Sequence, residues 1–195
     1  MEIYCLYFEK GGKFTKEVLE HVKPIVESRN IKDIIVATTR GETGIMACQA
    51  FDTSKYNVVL VTHSDGFAGP NTQEMKEESK KKIEELGGKV LTATHTLSGA
   101  ESGISKKLAG GVVFPVELFA RLIRLMIGDG VKVCIEIALG SADAGLISDI
   151  DKDVLCIAGT GKGADTACII KPSYSRDMTG LKVKQILCKP EIARP

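Results

Sequence analysis

Short unbroken apolar runs alternate along this chain with longer segments whose apolar residues recur every three or four positions. Runs at 3–8, 33–38, 58–62, 89–93, 131–139, 154–158 and 183–189 predict strands, and Ala167-Cys168-Ile169-Ile170 reads as another. Several lack polar alternation, the pattern of strands buried on both faces. Residues 15–29 place Val18, Val22, Ile25 and Val26 on one helical face, with Pro24 as a kink. An amphipathic segment at 45–51 follows the second run directly. Residues 71–86 open with Asn71 and Glu74 at capping-box spacing and stop at Gly87-Gly88. Their charged middle reads as a solvated outer helix. Pro115 suits the first turn of a helix over 116–127, with Leu118, Leu122, Leu125 and Met126 as its apolar stripe.

Strands alternating with helices predict a three-layer α/β fold, a mostly parallel sheet with helices on both faces. The 195 residues suit a single domain, 1–195, able to bury a core without disulfides or metals. Residues 94–113 break the pattern. With Gly99, Gly103, Gly110 and Gly111 they read as a long irregular connection.

Net charge is +1, aromatic residues are 5% and Trp is absent, so neither a cationic field nor a stacking platform calls for a nucleic-acid partner. The six cysteines form no CxxC pair, the histidines number three, and no zinc pattern arises. Most of the cysteines sit in apolar runs and read as small buried hydrophobes. The absence of a secretory signal and of any membrane-length apolar stretch predicts a cytoplasmic protein with no membrane partner.

Candidate chemistry gathers in three polar, glycine-rich loops, each following a predicted strand, where α/β sheets hold their ligands. The first holds Thr38, Thr39, Arg40, Gly41, Glu42, Thr43 and Gly44 at a helix start. First-turn N–H groups and the helix dipole favour an anion there, and hydroxyls with an arginine complete a phosphate cradle. The alternative is an ordinary strand-to-helix turn capped by Thr. The second loop runs from Thr62 through His63 to Phe67, a ring able to stack on a planar ligand or to cap the core. Thr94 and His95 follow the next strand, and each histidine is a ligand contact or a structural residue. The third loop runs from Gly159 through Thr160, Gly161, Gly163, Ala164 and Asp165 to Thr166. Its glycine spacing is neither a dinucleotide fingerprint nor a Walker loop. It is either a tight hairpin or a ligand contact. Glu136, inside an apolar run, needs a basic partner if structural, or a ligand or proton if functional. Asp143 and Asp165 are candidates for an acid and base pair. No nucleophile elbow or Ser/His/Asp set is visible.

Residues 33–63, DIIVATTRGETGIMACQAFDTSKYNVVLVTH, resemble the C-terminal domain of pyruvate kinase, whose T-x-x-G-x-[ST]-[AG] loop matches Thr38, Gly41, Thr43 and Gly44. In some pyruvate kinases this loop grips a phosphate of the allosteric sugar bisphosphate. Arg40 and Glu42 depart from the usual pattern. With the runs at 98–107, 133–138, 142–147 and 158–167, nearly the whole chain resembles a stand-alone pyruvate kinase C-terminal domain-like family of archaea and some bacteria. That resemblance implies bound flavin mononucleotide (FMN). The phosphate would lie at Thr38–Gly44, and the ring toward His63, Phe67, Thr94, His95 and the Gly159–Thr166 loop. It does not imply pyruvate kinase activity, which belongs to a separate barrel domain for which 195 residues leave no room. The expected function is binding of a phosphorylated ligand, FMN foremost, with flavin-dependent redox if the protein is an enzyme. The alternative is a non-catalytic sensor of a phosphorylated metabolite. A homo-oligomer joined through sheet edges or outer helices is also expected.

Overall fold

The computed structural model describes residues 4–108 and 112–192. In chain order the elements are β1 (Leu6–Phe8), α1 (Thr15–Arg29), β2 (Asp33–Ala37), α2 (Glu42–Ala50), β3 (Asn57–His63), α3 (Glu77–Glu85) and β4 (Lys89–Ala93). They continue with α4 (Gly99–Lys107), α5 (Pro115–Met126), α6 (Asp129–Asp143), β5 (Val154–Ala158), β6 (Thr166–Lys171), a 3-10 segment at Ser175–Gly180, and β7 (Lys182–Pro190). The seven strands form one sheet in the order β1-β7-β6-β5-β2-β3-β4. Strands β5, β2, β3 and β4 are mutually parallel, β1 is parallel to β7, and β6 is antiparallel to both its neighbours. The expected α/β class with a mostly parallel sheet is thus present.

Alternate residues of each central strand feed two cores. Ile34, Val36, Leu60, Leu155, Ile157 and Ile169 meet α1 and α2 on one face. Ile35, Val59, Val154, Cys156, Cys168 and Ile170 meet α5 and α6 on the other. Two-sided burial is why these runs carry no polar alternation.

Four readings change. The run at 131–139 is not a strand but the centre of helix α6. Nearly every side of this helix is buried, so periodicity could not separate it from a buried strand, and only its length favours a helix. The capping box at Asn71 and Glu74 does not form. Asn71 is left-handed at φ 56°, the helix starts at Glu77, and Glu74 bonds His63 instead. The connection at 94–113 contains helix α4, while Gly110 and Gly111 lie outside the described residues, as does Ile3 of the first predicted strand. On α5, Pro115 takes the first turn as expected, but the stripe is inverted: Leu118, Leu122, Leu125 and Met126 are exposed, and Glu117, Ala120 and Ile123 are buried. Helix α1 buries Val18, Leu19, Val22, Ile25 and Val26 and runs through Pro24 to Arg29.

Asp33 ties the amino-terminal edge of the sheet together. Its carboxylate accepts from Asn57 Nδ2 at 2.6 Å, from the Ser148 N–H at 2.9 Å and from Ser148 Oγ at 2.5 Å. Among the described residues no helix is long and apolar enough to cross a membrane. Leu139, fully buried where α6 meets the sheet, gives a direct test of the packing. Leu139→Ala should cost about 2–5 kcal/mol, read as a lower urea midpoint with unchanged slope. An effect below half a kcal/mol would mean that α6 does not occupy that layer.

Candidate functional site

The functional geometry follows from the strand order. Strand β2 pairs with β3 on one side and with β5 on the other, all parallel. After β2 the chain passes through α2 toward β3; after β5 it turns away into β6. Adjacent carboxyl ends therefore send their chains in opposite directions, with residues 38–41 and 159–163 on the two sides of the crevice that this topology defines. This is the topological switch point at which open α/β sheets bind ligands.

The first lip of the crevice is held from within. The buried Thr38 accepts the Gly44 N–H on Oγ1 at 3.1 Å and donates its own N–H to Val61 at 2.8 Å. Thr62 Oγ1 donates to the Thr39 carbonyl at 2.9 Å, fastening the neighbouring strand end to the loop. Gly41 caps α2 with φ 99°, and a Cβ there would lie 2.4 Å from Ser79 Cβ. Only glycine lets α3 approach so closely. Ile45 makes the first intrahelical bond, to Gly41 at 2.9 Å. Helix geometry then leaves the Glu42 and Thr43 N–H groups without an intrahelical acceptor. Arg40 and Glu42 are exposed, Thr39 is half-buried and Thr43 is buried.

The second lip is a hairpin joining β5 to β6, as one of the two readings of that loop had it. Asp165 is fully buried and accepts the Gly12 N–H at 3.1 Å, the Thr160 N–H at 3.0 Å and Thr166 Oγ1 at 2.8 Å. Ala164 is also committed, donating to Thr15 Oγ1 at 3.0 Å and accepting from Phe14 at 3.1 Å. A Cβ on Gly159 would lie 2.4 Å from the Gly163 carbonyl oxygen, and Gly161 and Gly163 have φ of 102° and 73°. The hairpin thus needs its glycines for its own backbone, while Gly161 and Lys162 remain exposed at its tip.

Beyond β3 and β4 three rings gather. His63 lies 4.0 Å from Phe67 and 5.3 Å from His95, centroid to centroid, and Phe67 lies 5.4 Å from His95. Phe67 is 55% exposed. Each histidine is backed by a carboxylate, His63 Nδ1 by Glu74 and His95 Nδ1 by Glu136, both at 2.6 Å. An ionised carboxylate only accepts, so Nδ1 carries the proton in both rings and Nε2 is the atom left for other chemistry. Thr94 is exposed, with its Oγ1 against Gly99.

Glu136 is 3% exposed and has the basic partner its sequence setting calls for. Lys132, one helical turn earlier, donates to Oε2 at 2.6 Å, and the Leu97 N–H donates to Oε1 at 3.2 Å. Burial pushes this carboxyl up, but the His95 hydrogen bond and the Lys132 ammonium outweigh it and hold it below its ordinary 4.5. Asp143 and Asp165 do not form an acid and base pair. Asp143 is near the carboxyl end of α6, where it accepts the Ser175 N–H, while Gly130 at the opposite end of α6 lies against Thr166. The two carboxylates are therefore about 20 Å apart, the length of that helix. All six thiols are unpaired, and burial raises Cys48 to about 11. No group of three or more His, Cys, Asp and Glu among the described residues could hold a metal ion.

The sequence placed the three loops and their residues on one edge of the sheet. It missed Glu74 as the partner of His63, and Glu136, with Lys132 behind it, as the partner of His95. Only the Lys132–Glu136 spacing of one helical turn could have signalled a pair, and that signal was lost once the segment was read as a strand. No protein-family model matches the chain.

Glu136→Gln tests the buried charge. Because the carboxyl titrates lower in the folded protein than in the unfolded chain, its contribution is full above the unfolded value and disappears as pH falls through the folded one. The variant should be less stable than the wild type at neutral pH, and the gap between their urea midpoints should narrow as pH falls below 4.5. A gap that stays constant into acid would show that the charge contributes nothing. Nitrogen-15 NMR should find the neutral rings of His63 and His95 protonated on Nδ1, and Glu136→Gln should disturb His95 alone.

Proposed function

We propose that this chain binds a phosphorylated ligand at the carboxyl-end edge of its sheet, with the phosphate on the Thr38–Gly44 loop. The observation that carries this reading is that the amino terminus of α2 lies at the β2–β5 switch point. The Glu42 and Thr43 N–H groups supply donors there, and exposed Arg40 and Lys162 stand on its two lips. The match of Thr38, Gly41, Thr43 and Gly44 to the pyruvate kinase C-terminal loop supports the same assignment. Within that family resemblance the ligand is FMN.

The residues fit FMN at its phosphate end, where first-turn donors and an arginine meet a dianion. At the ring end, His63, Phe67 and His95 provide aromatic and hydrogen-bonding surface. Of two hollows of 260 and 250 Å³, the first lies against Thr53–Val58 and the second against Thr62 and Asp65 of the second loop, with Lys80 and Thr92. When bound, a flavin supplies the redox chemistry; the chain positions it. A sensing role for the same site is favoured by a separate observation: Asp165 and Glu136 are committed to protein partners, and burial pushes the thiols of Cys48, Cys134, Cys156 and Cys188 up.

An absorbance spectrum of protein purified without added cofactor, repeated after loading with FMN and removal of the excess, should show flavin bands that stay with the protein. Arg40→Ala and Thr43→Ala should each weaken FMN binding by about 1–3 kcal/mol, the range for lost charge-assisted hydrogen bonds. Unchanged affinity in both variants would remove the loop from the site. Failure to retain flavin, with phosphorylated sugars raising the melting temperature, would leave the phosphate loop standing and replace its ligand.

A further inference from the structure

From the inverted stripe of α5 we infer that this helix is a docking surface for a second copy of the same chain. Leu118, Leu122, Leu125 and Met126 recur at one helical face, with Phe119 at its margin. They are 45–79% exposed, Leu125 at 64% and Met126 at 79%, while Glu117, Ala120 and Ile123 hold the opposite face to the protein. A helix this amphipathic has its apolar side in a core or an interface. Here the core has taken the weaker side.

Size and charge identify the occupant. Helix α4 packs beside α5 and adds exposed Ile104 and Leu108. Together these half-exposed side chains approach the ~800 Å² that each partner contributes to a standard interface, and exceed the patches of a few hundred Å² that monomers commonly expose. The two arginines of α5 are neutralised within the chain, Arg121 by Glu117 at 2.7 Å and Arg124 by Asp129 at 2.6 Å. The stripe therefore presents apolar surface flanked by compensated charge, with the exposed Lys106 and Lys107 at the carboxyl end of the neighbouring α4. An apolar stripe of this kind is complementary to itself. A twofold axis across α5, near Leu122, lays the stripe antiparallel on its copy, as an isologous interface requires, with ridges of one helix in the grooves of the other.

Sedimentation velocity of the full chain at micromolar concentration tests this. The expected species has twice the 21.0 kDa chain mass. Leu122→Glu and Leu125→Glu should each give the single-chain mass with unchanged circular dichroism, because both positions are exposed. Leu122→Cys should form a disulfide-linked dimer under mild oxidation, showing that the axis passes near this residue. A monomeric wild type, or a dimer that survives both glutamate variants, would overturn the inference. So would a monomer that co-sediments with vesicles of neutral and anionic lipid, which would make the stripe a membrane-facing helix. None of these readouts depends on FMN or on the phosphate loop.

Discussion

The parallel pairing of β5 with β2 is the contact on which the rest of the structure depends. Ile34, Ile35 and Val36 align with Leu155, Cys156 and Ile157, all of them fully buried. Burying such side chains stabilises by about 1.5–3 kcal/mol for each of the larger ones, so the register is strongly specified. Because β5 returns beside β2 and not beside β4, residues 94–153 must cross one face of the sheet. The element against that face has to be apolar on nearly all sides, and α6 is. The same return reverses the direction of adjacent loops and defines the crevice. Packing and the proposed site are two consequences of one pairing.

Buried carboxylates then hold the loops that the pairing creates. Asp33 joins β2 to β3 and to Ser148 at the amino-terminal edge, while Asp165 and Glu136 anchor the opposite edge. Each accepts at least one main-chain N–H as well as side-chain donors. A buried charge without such partners would cost several kcal/mol, and two or more donors per carboxylate offset that cost. Removing a single donor leaves the others less able to do so, so these loops keep one arrangement. Asp165 is therefore read more economically as a staple between the hairpin and residues 11–15 than as a reacting group.

The sequence conveyed the layered class, most strands and the three loops, because two-sided burial and the glycine-rich strand ends are local features. What it hid was set by tertiary contact. The run at 131–139, apolar at seven of its nine positions, satisfies a buried strand as well as a buried helix, and the neighbours decide. The α5 stripe was legible as a stripe, but a helix whose apolar face is turned outward has the same sequence as one whose face is turned inward. Asn71 and Glu74 have capping-box spacing, yet Glu74 gains more from His63 across 11 residues than from a local turn. The proximity of His63, Phe67 and His95 depends on the alignment of β3 with β4, which no local pattern encodes.

The two ends of the proposed site differ in how much order a ligand would have to impose. At the phosphate end the loop is complete without a ligand: Thr38 already accepts the Gly44 N–H, Thr62 holds Thr39, and Gly41 is wedged against Ser79. Its donors are fixed in place, so an anion binding there gains hydrogen bonds without ordering the backbone, the condition under which a small group binds well. At the ring end the histidines are held by carboxylates, but Phe67 is exposed on a segment that includes left-handed Gly66 and Asn71. Under the proposed binding mode, discrimination between one phosphorylated ligand and another would then fall to the ring end, where the segment carrying Phe67 is closed on itself by the Gly66 N–H donating to Thr72 at 2.9 Å and by Gln73 Nε2 donating to the His63 carbonyl at 3.1 Å.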